Sequence, residues 1–133
     1  MRKFHFLTLD VVLDLHAEGL NRHGGSPGVR DSGLVKSALA SAISASLYGG
    51  GDVFDVAAAY AFHLAEAQAF LNGNKRVAIS AAVIFMVQNT PVRAWTPLDQ
   101  DLIYEAMTAI AKHEMSTADL AALFRRLFSG KQI

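Results

Sequence analysis

Cysteine is absent from the 133 residues, which excludes a disulfide framework and any thiolate zinc site and fits a reducing, cytoplasmic setting. An excess of charge is absent too. Lys and Arg together number 12, as do Asp and Glu, so broad electrostatic binding to nucleic acid or to an anionic membrane is not expected, and only a local basic patch stays open. The longest apolar run, Val77 to Val87, is broken at Ser80 and falls short of the roughly 20 residues that span a bilayer. The start, Met1-Arg2-Lys3-Phe4-His5-Phe6-Leu7, is basic and then partly apolar, but Asp10 and Asp14 interrupt it before a signal-peptide core develops. A soluble protein with no membrane partner is the expectation.

Metal-ligand spacing is missing as well: His5, His16, His23, His63 and His113 are scattered, and core or surface roles suit them. Gly49-Gly50-Gly51 is not a phosphate-binding P-loop, because no Gly-Lys-Ser/Thr follows it. Repeats, linkers and convincing period-two alternation are also lacking; Pro91 to Trp95 is too short to count as a strand.

What is present is apolar and helical. Hydrophobic residues make up 52% of the chain, which excludes disorder, and the length suits a single domain, residues 1–133, with a real core. Gly24-Gly25-Ser26-Pro27-Gly28, Gly49-Gly50-Gly51, Asn72-Gly73 and Asn89-Thr90-Pro91 punctuate the pattern. Between them the spacing predicts helices over Thr8–Asn21, with Leu9, Val12, Leu13, His16 and Leu20 on one stripe, and over Asp31–Leu47, capped by Asp31 or Ser32. Further helices are expected over Val53–Leu71, Lys75–Asn89, Leu98–His113 and Thr117–Phe128. The Ala-rich third of these is apolar nearly all round and should be central. The fold expected is all-α: six helices, compact, with that central helix buried. Trp95 reads as a lid on the core, Arg125-Arg126 as a helix C-terminal charge pair favoured by the dipole, and Glu66 as solvated or paired.

The most informative stretch is Gln68-Ala69-Phe70-Leu71-Asn72-Gly73-Asn74-Lys75-Arg76. It reads as a helix end at Asn72-Gly73, with Gly73 free to turn left-handed, followed by a new helix capped by Asn74. Lys75 and Arg76 then fall in the first turn, where the helix dipole disfavours cations. Tolerating that cost suggests a bound anion, held by free backbone N–H groups and the two basic side chains. Gln68 and Asn72, four apart, should share one helix face beside this cradle, with Phe70 turned to the core.

These residues resemble the Fic/Doc signature: His, any residue, Phe, any residue, Asp (or Glu, sometimes Asn), Gly or Ala, Asn, Gly or Lys, Arg. The match lies at Phe70, Asn72, Gly73, Asn74, Lys75 and Arg76. The resemblance to the Doc-type branch extends through His23-Gly24-Gly25, Pro27-Gly28, Arg30-Asp31, Leu47-Tyr48-Gly49 and Ala59-Tyr60-Ala61-Phe62-His63-Leu64, from about residue 8 to 128. It implies nucleotide-dependent transfer onto a protein hydroxyl. Most members carry Gly where Lys75 stands and transfer AMP; Doc-type toxins carry Lys, and move the terminal phosphate of ATP to a threonine of elongation factor Tu. By this resemblance Gly73, Asn74, Lys75 and Arg76 hold the phosphates, Lys75 and Arg76 assist transfer, and Asn72 occupies the Mg2+-ligand position. Tyr48, Gly49, Gly50 and Asp52 lie where the family's target-aligning flap does. The partners implied are elongation factor Tu and a Phd-like antitoxin with a disordered tail.

Two departures stand out. Gln68 occupies the catalytic His position, and an amide cannot accept the proton of the attacking hydroxyl. That role is worth about 10²–10⁴-fold in rate, or about 3–5 kcal/mol. His63, five residues earlier on the same helix, points elsewhere and cannot replace it. Asn72 offers a neutral oxygen where most members offer a carboxylate, so Mg2+ should bind more weakly. Three functions are therefore in view: a Doc-type kinase impaired at Gln68, an inactive module that binds nucleotide or antitoxin, and an AMP transferase.

Overall fold

The computed structural model describes residues 4–25, 27–49, 51–90 and 100–129. Six helices follow one another: α1 (Leu9–His23), α2 (Ser32–Gly49), α3 (Val53–Ala67), α4 (Asn74–Asn89), α5 (Gln100–Ala111) and α6 (Thr117–Ser129). Among the described residues there is no strand, only an isolated antiparallel bridge between Val29 and Phe70. The fold is all-α, as expected. No described helix is long and apolar enough to cross a membrane. The Pro91–Trp95 stretch and the Trp95 lid lie outside the described residues.

Local chemistry sets the helix ends. Thr8 caps α1 through its hydroxyl, and Gly24 closes it at φ 76°, its N–H bonded to the Leu20 carbonyl. Asp52 opens α3 with a reciprocal capping box: its carboxylate accepts from Phe54 and Asp55 N–H, while Asp55 accepts from Asp52 N–H. Ser116 and Asp119 make the same exchange at the head of α6. At the start of α2, Asp31 accepts from Gly33 N–H, which is the capping role expected of it.

The core is built around α3, which buries Val53, Phe54, Val56, Ala57, Ala58, Ala59, Tyr60, Ala61 and Leu64. Its alanines let α2, α4 and α6 pack directly against it, and α5 reaches it too. Tyr60, Phe70, Phe85 and Phe124 are the largest fully buried side chains, each worth about 1.5–3 kcal/mol on burial. The chain before α1 is stitched to the end of α4. His5 N–H donates to Asn89 Oδ1 at 2.7 Å, and Asn89 returns an N–H to the His5 carbonyl at 3.1 Å. Phe4 and Phe6 lie against Phe85, with ring centroids 5.6 and 6.3 Å away.

One boundary departs from expectation. α3 stops at Ala67, and Gln68 closes it in the left-handed conformation at φ 50°, ψ 41°. Tertiary bonding explains the early stop. Arg30 N–H and Asp31 N–H both reach the Ala69 carbonyl, at 2.6 and 3.2 Å, and Leu71 N–H reaches the Gly28 carbonyl at 3.2 Å. Residues 69–71 are thereby held extended beside residues 28–31 and cannot continue the helix.

Candidate active site at the loop between α3 and α4

Residues 68–73 form the loop that delivers the chain into α4. Because α3 ends first, Gln68 and Asn72 do not share a helix face; that expectation is corrected. Asn74 is likewise not the N-cap. Gly73 is, at φ 78° and ψ 21°, and no side chain caps α4. Asn74 instead begins the helix and reaches backward. Its Oδ1 accepts from Phe70 N–H at 3.1 Å and its Nδ2 donates to the Phe70 carbonyl at 3.0 Å, clamping the loop at both polar atoms of one residue.

Phe70 does turn inward, 1% exposed. Its ring stacks on His16 of α1 with centroids 3.9 Å apart and planes 19° from parallel. His16 Nε2 lies 2.7 Å from the Asn72 carbonyl, which can only accept, so Nε2 is the donor. Sequence reading placed His16 on the buried stripe of α1 without any tie to the motif; 56 residues separate it from Asn72.

Gln68 is exposed. Its Nε2 donates to the Ala65 carbonyl at 2.8 Å, satisfying an open group at the end of α3, while its Oε1 sits 3.4 Å from Asn74 Nδ2. The side chain at the family's catalytic position is thus brought to the first residue of α4 by a turn rather than by a shared helix face. Asn72 is also exposed, and its amide donates to the Leu71 carbonyl at 3.0 Å. A Cβ on Gly25 would come within 3.3 Å of Asn72 Oδ1, which places the glycine-rich first loop against that side chain.

The two basic residues diverge. Lys75 Nζ donates to Thr108 Oγ1 at 3.3 Å and lies 5.3 Å from the centre of the Tyr104 ring, so it points to α5. Arg76 is exposed and lines a cleft of about 720 Å³ between α1 and α4, together with His16, Arg22, Asn72, Gly73 and Tyr104. Arg22 of this wall pairs with Glu18 at 2.7 Å. Neither Tyr104, Thr108 nor Arg22 stood out in the sequence, because nothing in local spacing joins α5 or α1 to the motif.

The helix start fits an anion. α4 has no side-chain cap and no acidic residue in its first turn, while Lys75 and Arg76 stand there, so the first N–H groups and the positive end of the dipole are open to a phosphate. For a metal the fit is thinner. No cluster of three or more His, Asp or Glu exists among the described residues, and Asn72 offers one neutral oxygen. Magnesium bound here would therefore be held chiefly by nucleotide phosphates and water.

The family profile described as "Fic/DOC family" matches residues 6–86. The chain belongs to the Fic/DOC family. The match runs from before α1 to Met86 of α4 and so includes the whole loop just described. Among curated proteins, "Protein kinase doc" of Escherichia phage P1 is 29% identical over 127 residues, spanning 95% of this chain and 98% of that protein. This agreement over nearly the full length puts the Fic/DOC chain in the Doc-type branch. A Fic/DOC chain with a relative named as a protein kinase is of the phosphoryl- or AMP-transferring type.

The residues expected at the target-aligning flap are only partly described. Tyr48 and Gly49 close α2, Gly50 lies outside the described residues, and Asp52 is the N-cap of α3. Asp52 also accepts from Arg125 of α6. Arg125 is therefore not a charge placed for its own helix's dipole, as the sequence suggested, but a tie between α6 and the head of α3. Arg126 is exposed. His63, half-buried on α3 against Phe62, titrates below the ordinary histidine range because burial disfavours its charged form, an effect that nearby Glu66 opposes.

Proposed function

We propose that this protein is a Doc-type toxin of a toxin–antitoxin pair, transferring the γ-phosphoryl group of ATP to a hydroxyl of a translation factor of the elongation factor Tu type. The observation that carries this reading is the meeting of Gln68 with Asn74 at 3.4 Å, at a helix start that is uncapped and basic. A side chain at the base position and an open phosphate cradle lie side by side.

In this reading the N–H groups of Asn74, Lys75 and Arg76 hold the phosphates and the Arg76 guanidinium pairs with them from the cleft. Lys75, supported by Thr108 and Tyr104, stands where most Fic proteins have glycine and narrows the site toward transfer of the terminal phosphate. Asn72 would offer one oxygen to a magnesium ion, which would offset phosphate charge. Gln68 orients the attacking hydroxyl but cannot take its proton, so the chain as it stands is slow or silent. The partners in this reading are a Phd-like antitoxin with a disordered tail and the translation factor, and the setting is the cytoplasm.

A second reading has an observation of its own. The Gln68 amide is spent on the end of α3, as befits a module that holds nucleotide or antitoxin and transfers nothing. Incubation with elongation factor Tu and ATP labelled at the α or γ position separates the cases, using this chain and its Gln68→His variant. Transfer of γ label supports the kinase, transfer of α label an AMP transferase, and binding without transfer by either protein the binding module.

A further inference from the structure

His16 is the buried polar side chain of the described residues, 6% exposed. Two contacts define its ring completely. Stacking on Phe70 at 3.9 Å fixes the plane of the imidazole, and the bond from Nε2 to the Asn72 carbonyl at 2.7 Å fixes its rotation within that plane. Both partners belong to the loop between α3 and α4, and the rings's owner belongs to α1. Phe70 is itself clamped through its backbone by Asn74, so the imidazole sits inside a closed circuit running from α1 through Phe70 and Asn74 to Asn72.

The bond to Asn72 acts on one peptide unit. No cis peptide occurs among the described residues, and in a trans peptide the carbonyl and the following N–H point in opposite directions. With the Asn72 carbonyl turned to His16, the Gly73 N–H faces away from it. Gly73 is left-handed at φ 78°, and glycine passes readily between backbone regions, so the 72–73 peptide is the unit of this loop most free to flip. A flip would send a carbonyl to the side where the N–H now stands, at the mouth of a helix start that is otherwise positive. It would also reorient Asn72.

We infer that His16 is a positioning residue that locks the Asn72–Gly73 peptide in the orientation that admits an anion at the start of α4. The inference rests on the phosphate-binding reading of the loop. An imidazole suits this task where an apolar side chain would not, since it supplies a flat face for Phe70 and a directed donor at its edge.

The test uses the full chain with His16→Phe, which keeps an aromatic face but removes the donor, and His16→Gln, whose amide restores a donor near Nε2. Amide exchange is measured by NMR without nucleotide, and ATP is titrated with and without magnesium. His16→Phe should speed exchange at Phe70, Leu71 and Val77, whose N–H groups are bonded to Asn74, Gly28 and Gly73, while leaving α2 and α6 protected, and should weaken ATP binding roughly 3- to 10-fold, as loss of one buried hydrogen bond implies. His16→Gln should recover most of both. Exchange and affinity unchanged in His16→Phe would overturn the inference, and so would equal losses in both variants spread evenly over the protein, the mark of a merely structural histidine. If the parent chain binds no ATP, the phosphate-binding reading falls, while faster exchange confined to Phe70, Leu71 and Val77 and reversed by Gln still decides whether His16 locks the loop. Should His16→Phe not fold, His16→Asn, whose amide stops short of Asn72, takes its place with the same expectations.

Discussion

Arg125 of α6 places Nη2 2.8 Å from Asp52 Oδ2, joining residues 73 apart in sequence. The same guanidinium lies 3.5 Å from Asp55 and 5.6 Å from the Phe54 ring centre. Asp52 meanwhile uses Oδ1 for the N–H groups of Phe54 and Asp55. One carboxylate therefore starts α3 with one oxygen and anchors α6 with the other.

Asp52→Ala should lose both functions and about 1–2 kcal/mol of stability, most of it from the cap. Asp52→Asn, which can still cap, should lose less than about 1 kcal/mol, because the ion pair is part-exposed. Urea unfolding of both variants checks the order; equal losses would assign the whole effect to charge.

The pH dependence follows from the same carboxyl. Burial opposes its ionisation, but the Asp55 N–H and the bond and charge of Arg125 outweigh burial and hold Asp52 below its ordinary value of 3.8. The folded value lies under the unfolded one, so the stabilisation is complete above the unfolded value and is lost as pH falls through the folded one. The stability gap between parent and Asp52→Asn should be full at neutral pH and shrink below about pH 3.8. A gap that widened in acid would contradict the assignment.

Arg76→Ala should weaken ATP binding at least several-fold. The side chain is exposed at the cleft and takes part in no ion pair among those described, so loss of affinity without loss of stability is the expected pattern. Titration calorimetry beside thermal unfolding reads both; unchanged affinity would remove Arg76 from the cradle.

Gln68→His should raise phosphoryl transfer by about 10²-fold or more and make expression toxic unless an antitoxin is present. Adding Asn72→Asp should chiefly lower the magnesium concentration needed, because it restores a charged ligand without touching the base. A folded, nucleotide-binding double variant that transfers nothing would sink the kinase reading.

Gly28→Ala and Gly24→Ala should differ although both glycines have positive φ. At Gly28 (φ 135°) a Cβ would meet Leu71 Cδ1 at 2.9 Å, whereas at Gly24 (φ 76°) nothing lies within 4 Å. Gly24→Ala, at ψ −177°, should cost about 1–3 kcal/mol of backbone strain, and Gly28→Ala a similar strain plus a smaller crowding cost, because the exposed Leu71 tip can turn aside. Thermal unfolding of the pair measures the difference.

The six helices were legible because their apolar residues either recur at helical spacing or fill the helix nearly all round, and glycines or capping residues mark several of their ends. The end of α3 was not. Glutamine is a poor advertisement for a left-handed cap, and what stops the helix is the pull of Arg30, Asp31 and Gly28 on residues 69–71, a contact with no local trace. The motif residues were found by their order, and Lys75 and Arg76 do stand in the first turn of α4, although Gly73 rather than Asn74 caps it. Their supports escaped notice. His16 reads as one more buried position on an amphipathic stripe, and Arg125 as a terminal cation, until α1 and α6 are folded against their partners.

The stitching of His5 to Asn89 has a consequence for a chain made from its N-terminus onward. Phe4 and Phe6 are synthesised before any of the six helices, yet the ring they rest on, Phe85, and the amide that grips the backbone between them come 79 or more positions later. During synthesis these two aromatics lack the Phe85 ring until α4 is nearly finished, and a product truncated before Phe85 carries them without it. The segment before α1 can bond Tyr60 of α3 early, but it gains its grip at His5 only when Asn89 has been made, so that bond reports a completed α4.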